Sequence, residues 1–113
     1  MIPKKKRDII IARDGERCVA CGAVWQLTIH HRINRGAGGS KLFDEFQHLL
    51  TVCNPCNVSF ESSAEIAEMA RSLGYKLSRN ANPAVDATQV PVYYQYLSTW
   101  YHLDANGEKR EKE

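Results

Sequence analysis

No apolar run in this chain approaches the roughly 20 residues that a bilayer-crossing helix needs. The opening stretch MIPKKKRDIII is basic, but it has no long apolar region and no small-residue cleavage site. We therefore expect a cytoplasmic protein without a membrane partner, in a compartment where structural disulfides are not sustained. No internal repeat and no second domain are visible in 113 residues, a length that suits one small core. Hydrophobic residues make up 43% and charged residues 25%, the balance of an ordinary globular domain.

The net charge of +2 says little, but its distribution says more. Residues 1–41 carry nine Lys/Arg against three Asp/Glu, while residues 42–113 carry six against ten. A basic half is the expected footprint of a polyanion. The run KKKR itself reads as a solvated face.

All four cysteines fall in two C-x-x-C knuckles, Cys18-Val-Ala-Cys21 and Cys53-Asn-Pro-Cys56. Two such knuckles read as a four-thiolate zinc site. A disulfide framework lacks its oxidising compartment, and a redox C-x-x-C comes singly. Simple zinc ribbons leave about 15–20 residues between knuckles; here 31 residues, Gly22 to Val52, intervene. Zinc then acts as a staple at the base of a longer element, which a small core needs.

That element has its own pattern. Residues 4–13 read as a short helix. WQLTIHHRI has β-propensity and ends on His30-His31. A glycine-rich loop, NRGAGGSKLFDEF, follows. HLLTVC, residues 48–53, reads as a second strand leading into the second knuckle. Asn54 as N-cap and Pro55 at the first helical position predict a helix to about Ser62, with Asn57 in its first turn. Ser62 and Glu65 are spaced as a capping box for a second helix. Ile66, Met69, Ala70 and Leu73 form its core stripe, and Gly74 ends it. Residues 92–103 read as a hairpin whose aromatics cover the core, and residues 104–113 as a turn and frayed tail. His102 reads as a surface residue.

Strand, glycine loop, strand and helix, with a metal at the base, resemble the HNH endonuclease family. His30-His31 matches the opening dipeptide of that family's motif. His48 stands at the middle position, where Asn is usual, and Asn57 at the last, just after the second knuckle. The paired knuckles are similar to its zinc-containing branch. The resemblance covers residues 18–62 and leaves residues 75–113 without a role. It implies one small α+β domain with a ββα-metal (His-Me finger) core at 18–62, stapled by zinc on Cys18, Cys21, Cys53 and Cys56. A short N-terminal helix precedes this core, and a helix plus β-hairpin extension spans 63–103. Free-standing short members are common in bacteriophages, which implies DNA and phage packaging proteins as partners and the host cytoplasm as location.

Phosphodiester cleavage needs a base for the attacking water and positive charge for the phosphoryl and leaving oxygens. By resemblance His31 is the general base, while His30 and Asn57 hold one divalent cation. His48 joins the catalytic candidates, holding the loop, His31 or a metal. Arg32, Arg35 and Lys41 are the DNA-contact candidates, because arginine forks pair with phosphate. An imidazole and an amide oxygen without a carboxylate suit Mn²⁺, Ni²⁺ or Co²⁺ at least as well as Mg²⁺. Neighbours on a strand point to opposite faces. For both histidines to serve one phosphate, the phosphate must lie at the strand end or edge, or the strand must bulge. A non-catalytic zinc module and a ribonuclease remain the alternatives. The sequence does not fix the oligomeric state.

Overall fold

The basic segment Lys4–Arg13 forms helix α1, with Pro3 ahead of its first turn. A computed structural model describes residues 2–33, 44–77 and 86–113 of the chain. Strand β1 is Leu27–His31 and strand β2 is Leu49–Cys53. They pair antiparallel in continuous register, from Leu27 opposite Cys53 to His31 opposite Leu49. Helices α2, Asn54–Ser59, and α3, Ala64–Ser72, follow. Three strands, β3 (Val92–Tyr94), β4 (Thr99–Leu103) and β5 (Lys109–Glu111), make a second antiparallel sheet in that order. The result is a small α+β domain.

Several boundaries move from expectation. Cys53, in extended conformation, is the N-cap of α2, so Asn54 and Pro55 occupy its first two helical positions. The α3 cap is Ser63, whose hydroxyl accepts from Ile66 N–H at 3.2 Å, one residue later than the Ser62–Glu65 spacing suggested. Within the expected stripe Ala70 is buried, but Met69 is half exposed. The final residues are not a frayed tail: β5 pairs with β4, and Lys109 donates to the Arg13 carbonyl at 2.6 Å. Gly74 does end α3, with φ of +85°, and a Cβ there would collide with the Pro91 carbonyl.

The core gathers Leu50, Val52, Phe60, Ala70, Tyr75, Val92, Tyr94 and Leu103. As expected, the C-terminal aromatics serve this core: Tyr94 is fully buried and meets the Tyr101 ring edge-on at 5.0 Å. The sheets are joined through Asp14, also fully buried. Its carboxylate accepts from Arg13 Nε at 2.8 Å, Thr51 N–H at 2.8 Å and the Tyr94 hydroxyl at 2.5 Å. Arg13 donates in turn to the Phe46 and Leu49 carbonyls. A buried charge survives where each lone pair finds a donor.

Arg32 corrects the sequence reading. It is 1% exposed, and its guanidinium donates to four main-chain carbonyls: Gly74 at 2.8 Å, Gln47 at 2.8 Å, Ala87 at 3.1 Å and Val90 at 2.9 Å. Burial, with a smaller push from Arg13, pulls its pKa down to about 10, so the charge persists at neutral pH. With four of its five N–H groups on carbonyls and only 1% of it exposed, this side chain is placed as a structural tie and not as an open phosphate contact. It ties the end of β1 to the segments that follow α3.

Arg32→Ala should therefore act on stability. Charged hydrogen bonds contribute about 1.5–3 kcal/mol each and do not add fully, so we expect a loss of at least ~3 kcal/mol in urea unfolding. Arg32→Lys should recover only part of it, because an ammonium cannot span four acceptors. A near-neutral stability change with weakened DNA binding would restore the surface role.

Candidate metal centre and cleft

The two knuckles meet at the base of the β1–β2 hairpin. Gly22, at φ +82°, turns the first knuckle, and its N–H donates to the Cys18 carbonyl at 2.8 Å. Val19 N–H donates to the Thr51 carbonyl at 3.0 Å, which docks this knuckle on β2. The second knuckle runs from the last residue of β2 into α2. As a result the sulfurs of Cys18, Cys21, Cys53 and Cys56 lie within 4.8 Å of one another. Cys21 Sγ and Cys53 Sγ are 3.7 Å apart, too far for a disulfide. Tetrahedral ligands at about 2.3 Å from one ion stand about 3.8 Å apart, so the set fits a structural metal such as zinc.

At the other end of β1, His30 is buried and turns toward α2. Its ring packs edge-on against Phe60 at 5.1 Å, and Phe60 stacks on Tyr75. Nε2 lies 2.7 Å from the Tyr75 carbonyl, and Nδ1 lies 2.9 Å from Asn57 Oδ1. A carbonyl only accepts, so Nε2 carries the proton. Burial lowers the His30 pKa, favouring a neutral ring whose Nδ1 is then a lone pair. That lone pair faces an amide oxygen, a second acceptor. Two arrangements relieve the opposition: the Asn57 amide turns so that its NH₂ donates, or a cation accepts both lone pairs. Two neighbouring ligands at about 2.1 Å from an octahedral ion lie about 3 Å apart, close to the separation here.

His31 points elsewhere. Its Nε2 lies 2.9 Å from Asp44 Oδ1, and this carboxylate, like the Tyr75 carbonyl, requires the proton on Nε2. Nδ1 is left as the ring nitrogen able to accept. His30 and His31 nonetheless line one cleft of about 300 Å³, together with Ile29, Asn57, Glu61, Lys76, Leu77 and the largely buried Arg32. β1 carries no bulge, since it pairs residue for residue up to His31, and the two histidines reach the cleft from its last two positions.

His48 is the last residue of a 3-10 turn, Phe46–His48. Its carbonyl accepts from Arg32 N–H at 2.8 Å, and burial, aided by Arg32, lowers its pKa. It does not line the cleft. Arg35, Lys41 and the three loop glycines fall outside the described residues. His102 donates from Nδ1 to the Thr88 carbonyl at 3.1 Å, away from the cleft.

Three contributors were not foreseen. Asp44 holds His31, the Tyr75 carbonyl fixes the His30 proton, and Lys76 pairs with Glu61 at 2.6 Å along the cleft wall. Glu61, four residues after Asn57, had a visible spacing signal. A main-chain carbonyl 45 residues from its histidine leaves none. No family model, curated protein or solved structure matches the chain.

The cysteine cluster should bind one metal equivalent per chain, measured by elemental analysis. Metal on a structural four-cysteine site is coupled to folding. Chelation should thus lower the unfolding temperature, and zinc should restore it. Cys53→Ser should abolish the response to both; an unchanged melt on chelation would argue against a structural metal.

Proposed function

We propose that this chain is a metal-dependent DNA endonuclease of the HNH type, with a ββα-metal core and a structural zinc on its four cysteines. One observation carries the reading. In a cleft that also holds His31, the His30 Nδ1 lone pair and Asn57 Oδ1 converge to 2.9 Å, with the His30 proton committed to the Tyr75 carbonyl. Two acceptors facing each other beside a basic imidazole suit a cation site next to a general base.

In this reading His30 and Asn57 would hold the cation, which when bound would supply Lewis-acid stabilisation of the charge that develops on the phosphate. His31 does the proton chemistry. The oxygen of a water bonds to phosphorus while its proton passes to His31 Nδ1. The bond from phosphorus to the 3′ oxygen breaks, and that oxygen takes a proton from solvent. The products are a 5′-phosphate and a 3′-hydroxyl. Lys76 and Glu61 pair along the cleft wall and so add no net charge there, and His48 has a structural part. With Arg32 buried, Arg35 and Lys41 are the proposed backbone contacts, and the positive bias of residues 1–41 favours approach of a polyanion.

Supercoiled plasmid tests the proposal, since nicks and double-strand cuts separate on one gel. The zinc-loaded protein should cleave with added Mn²⁺ and stop with EDTA. His31→Ala should cut at least ~100-fold more slowly, the lower range of general-base contributions. Mn²⁺, Ni²⁺ or Co²⁺ should match or exceed Mg²⁺; a clear Mg²⁺ preference would count against the ligand pair. Equal cleavage by wild type and His31→Ala, or none by either, would favour a non-catalytic zinc module. Faster cutting of structured RNA would favour a ribonuclease.

A further inference from the structure

We infer that Asp44 is the positioning residue that sets the tautomer and orientation of His31; this rests on the proposed role of His31 as base. The observations are independent of the metal. Asp44 Oδ1 stands 2.9 Å from His31 Nε2, and the carboxylate and imidazole are only 17% and 24% exposed. Partial burial strengthens a charged hydrogen bond relative to one in open water. A carboxylate has no proton to give at neutral pH, so it selects the tautomer that carries hydrogen on Nε2. The Nδ1 lone pair is then kept for a reacting water. Without Asp44, both tautomers of the neutral ring become accessible and the ring can rotate.

Asp44 is itself held. Its carbonyl accepts from Lys6 Nζ at 2.7 Å, and the same ammonium lies 5.1 Å from the Phe46 ring centroid. Lys6 belongs to the KKKR run that reads in sequence as a solvated face. Helix α1 is fixed in turn by Arg13, which donates to the Phe46 carbonyl at 2.9 Å. Helix α1 thus holds Asp44 directly through Lys6, and holds the same segment two residues further on through Arg13 and Phe46. His48, the residue at the motif's middle position, lies outside the cleft that His31 lines. Orientation of His31 thus falls to a carboxylate that the motif does not include.

The test uses the full zinc-loaded chain and four proteins: wild type, Asp44→Ala, Asp44→Asn and Asp44→Glu. Nitrogen NMR of ¹⁵N-histidine protein, assigned with His31→Gln, reads the tautomer directly. Wild type should show His31 protonated on Nε2. Asp44→Asn can turn its NH₂ toward the ring, so the proton should shift to Nδ1. Plasmid cleavage with Mn²⁺ should show kcat reduced at least about tenfold in the Ala and Asn variants, with KM within about twofold, and partial recovery in Asp44→Glu. If Asp44→Ala does not fold, the Asn and Glu variants carry the same comparison. An unchanged tautomer in Asp44→Asn, or kcat within twofold of wild type, overturns the inference. Lost cleavage in His31→Ala with normal cleavage in every Asp44 variant overturns it and leaves the nuclease reading intact. No cleavage by wild type removes the nuclease reading and the catalytic half of the inference; the NMR comparison still decides whether Asp44 sets the tautomer.

Discussion

A single buried guanidinium holds the architecture around the cleft. Arg32 leaves β1 one residue after the paired histidines and spends its donors on carbonyls from three separate stretches of chain. Burying a cation without a carboxylate is costly, and only a set of acceptors offsets it. Four carbonyls take four of the five Arg32 N–H groups, and each is thereby fixed in space. The Gly74 carbonyl matters most for the site, because Tyr75 follows it and presents the next carbonyl to His30. Leu77 N–H donating to the Arg32 carbonyl at 2.7 Å closes the same seam. The segment after α3 is thus a wall of the cleft and no mere appendage.

The two histidines differ through their acceptors. Each ring is given an Nε2 proton by a group that can only accept: a main-chain carbonyl for His30, a carboxylate for His31. Burial favours a neutral His30 ring, and the carbonyl on Nε2 leaves its Nδ1 a simple donor of a lone pair. A carboxylate at the cleft rim accepts from the His31 ring and leaves its other nitrogen facing outward from the pair. Identical side chains, adjacent in sequence, are thereby suited to different tasks.

Much of this was legible in the sequence. The knuckle pairs foretold the cysteine cluster, and the stretches read as a short helix and two strands form α1, β1 and β2, β1 being shorter than the run read for it. His30 and Asn57 were expected together, and they meet. Arg32 was misread because an arginine between a histidine pair and a glycine loop has the composition of a phosphate site. Its partners are carbonyls, which every residue possesses and no sequence pattern marks. Asp44 was missed for a related reason. A carboxylate 13 residues from its histidine gains meaning only once the hairpin geometry is known. The strand Lys109–Glu111 was hidden by its charge, since an edge strand with one solvated face can be nearly all polar.

The cysteine cluster closes the hairpin at its base, while Arg32 and Asp44 are fixed near its far end. Between Ile33, which is buried, and Asp44 lies the part of the sequence richest in glycine. The two groups that fix the His30 and His31 protons, the Tyr75 carbonyl and Asp44, both lie outside that glycine-rich stretch.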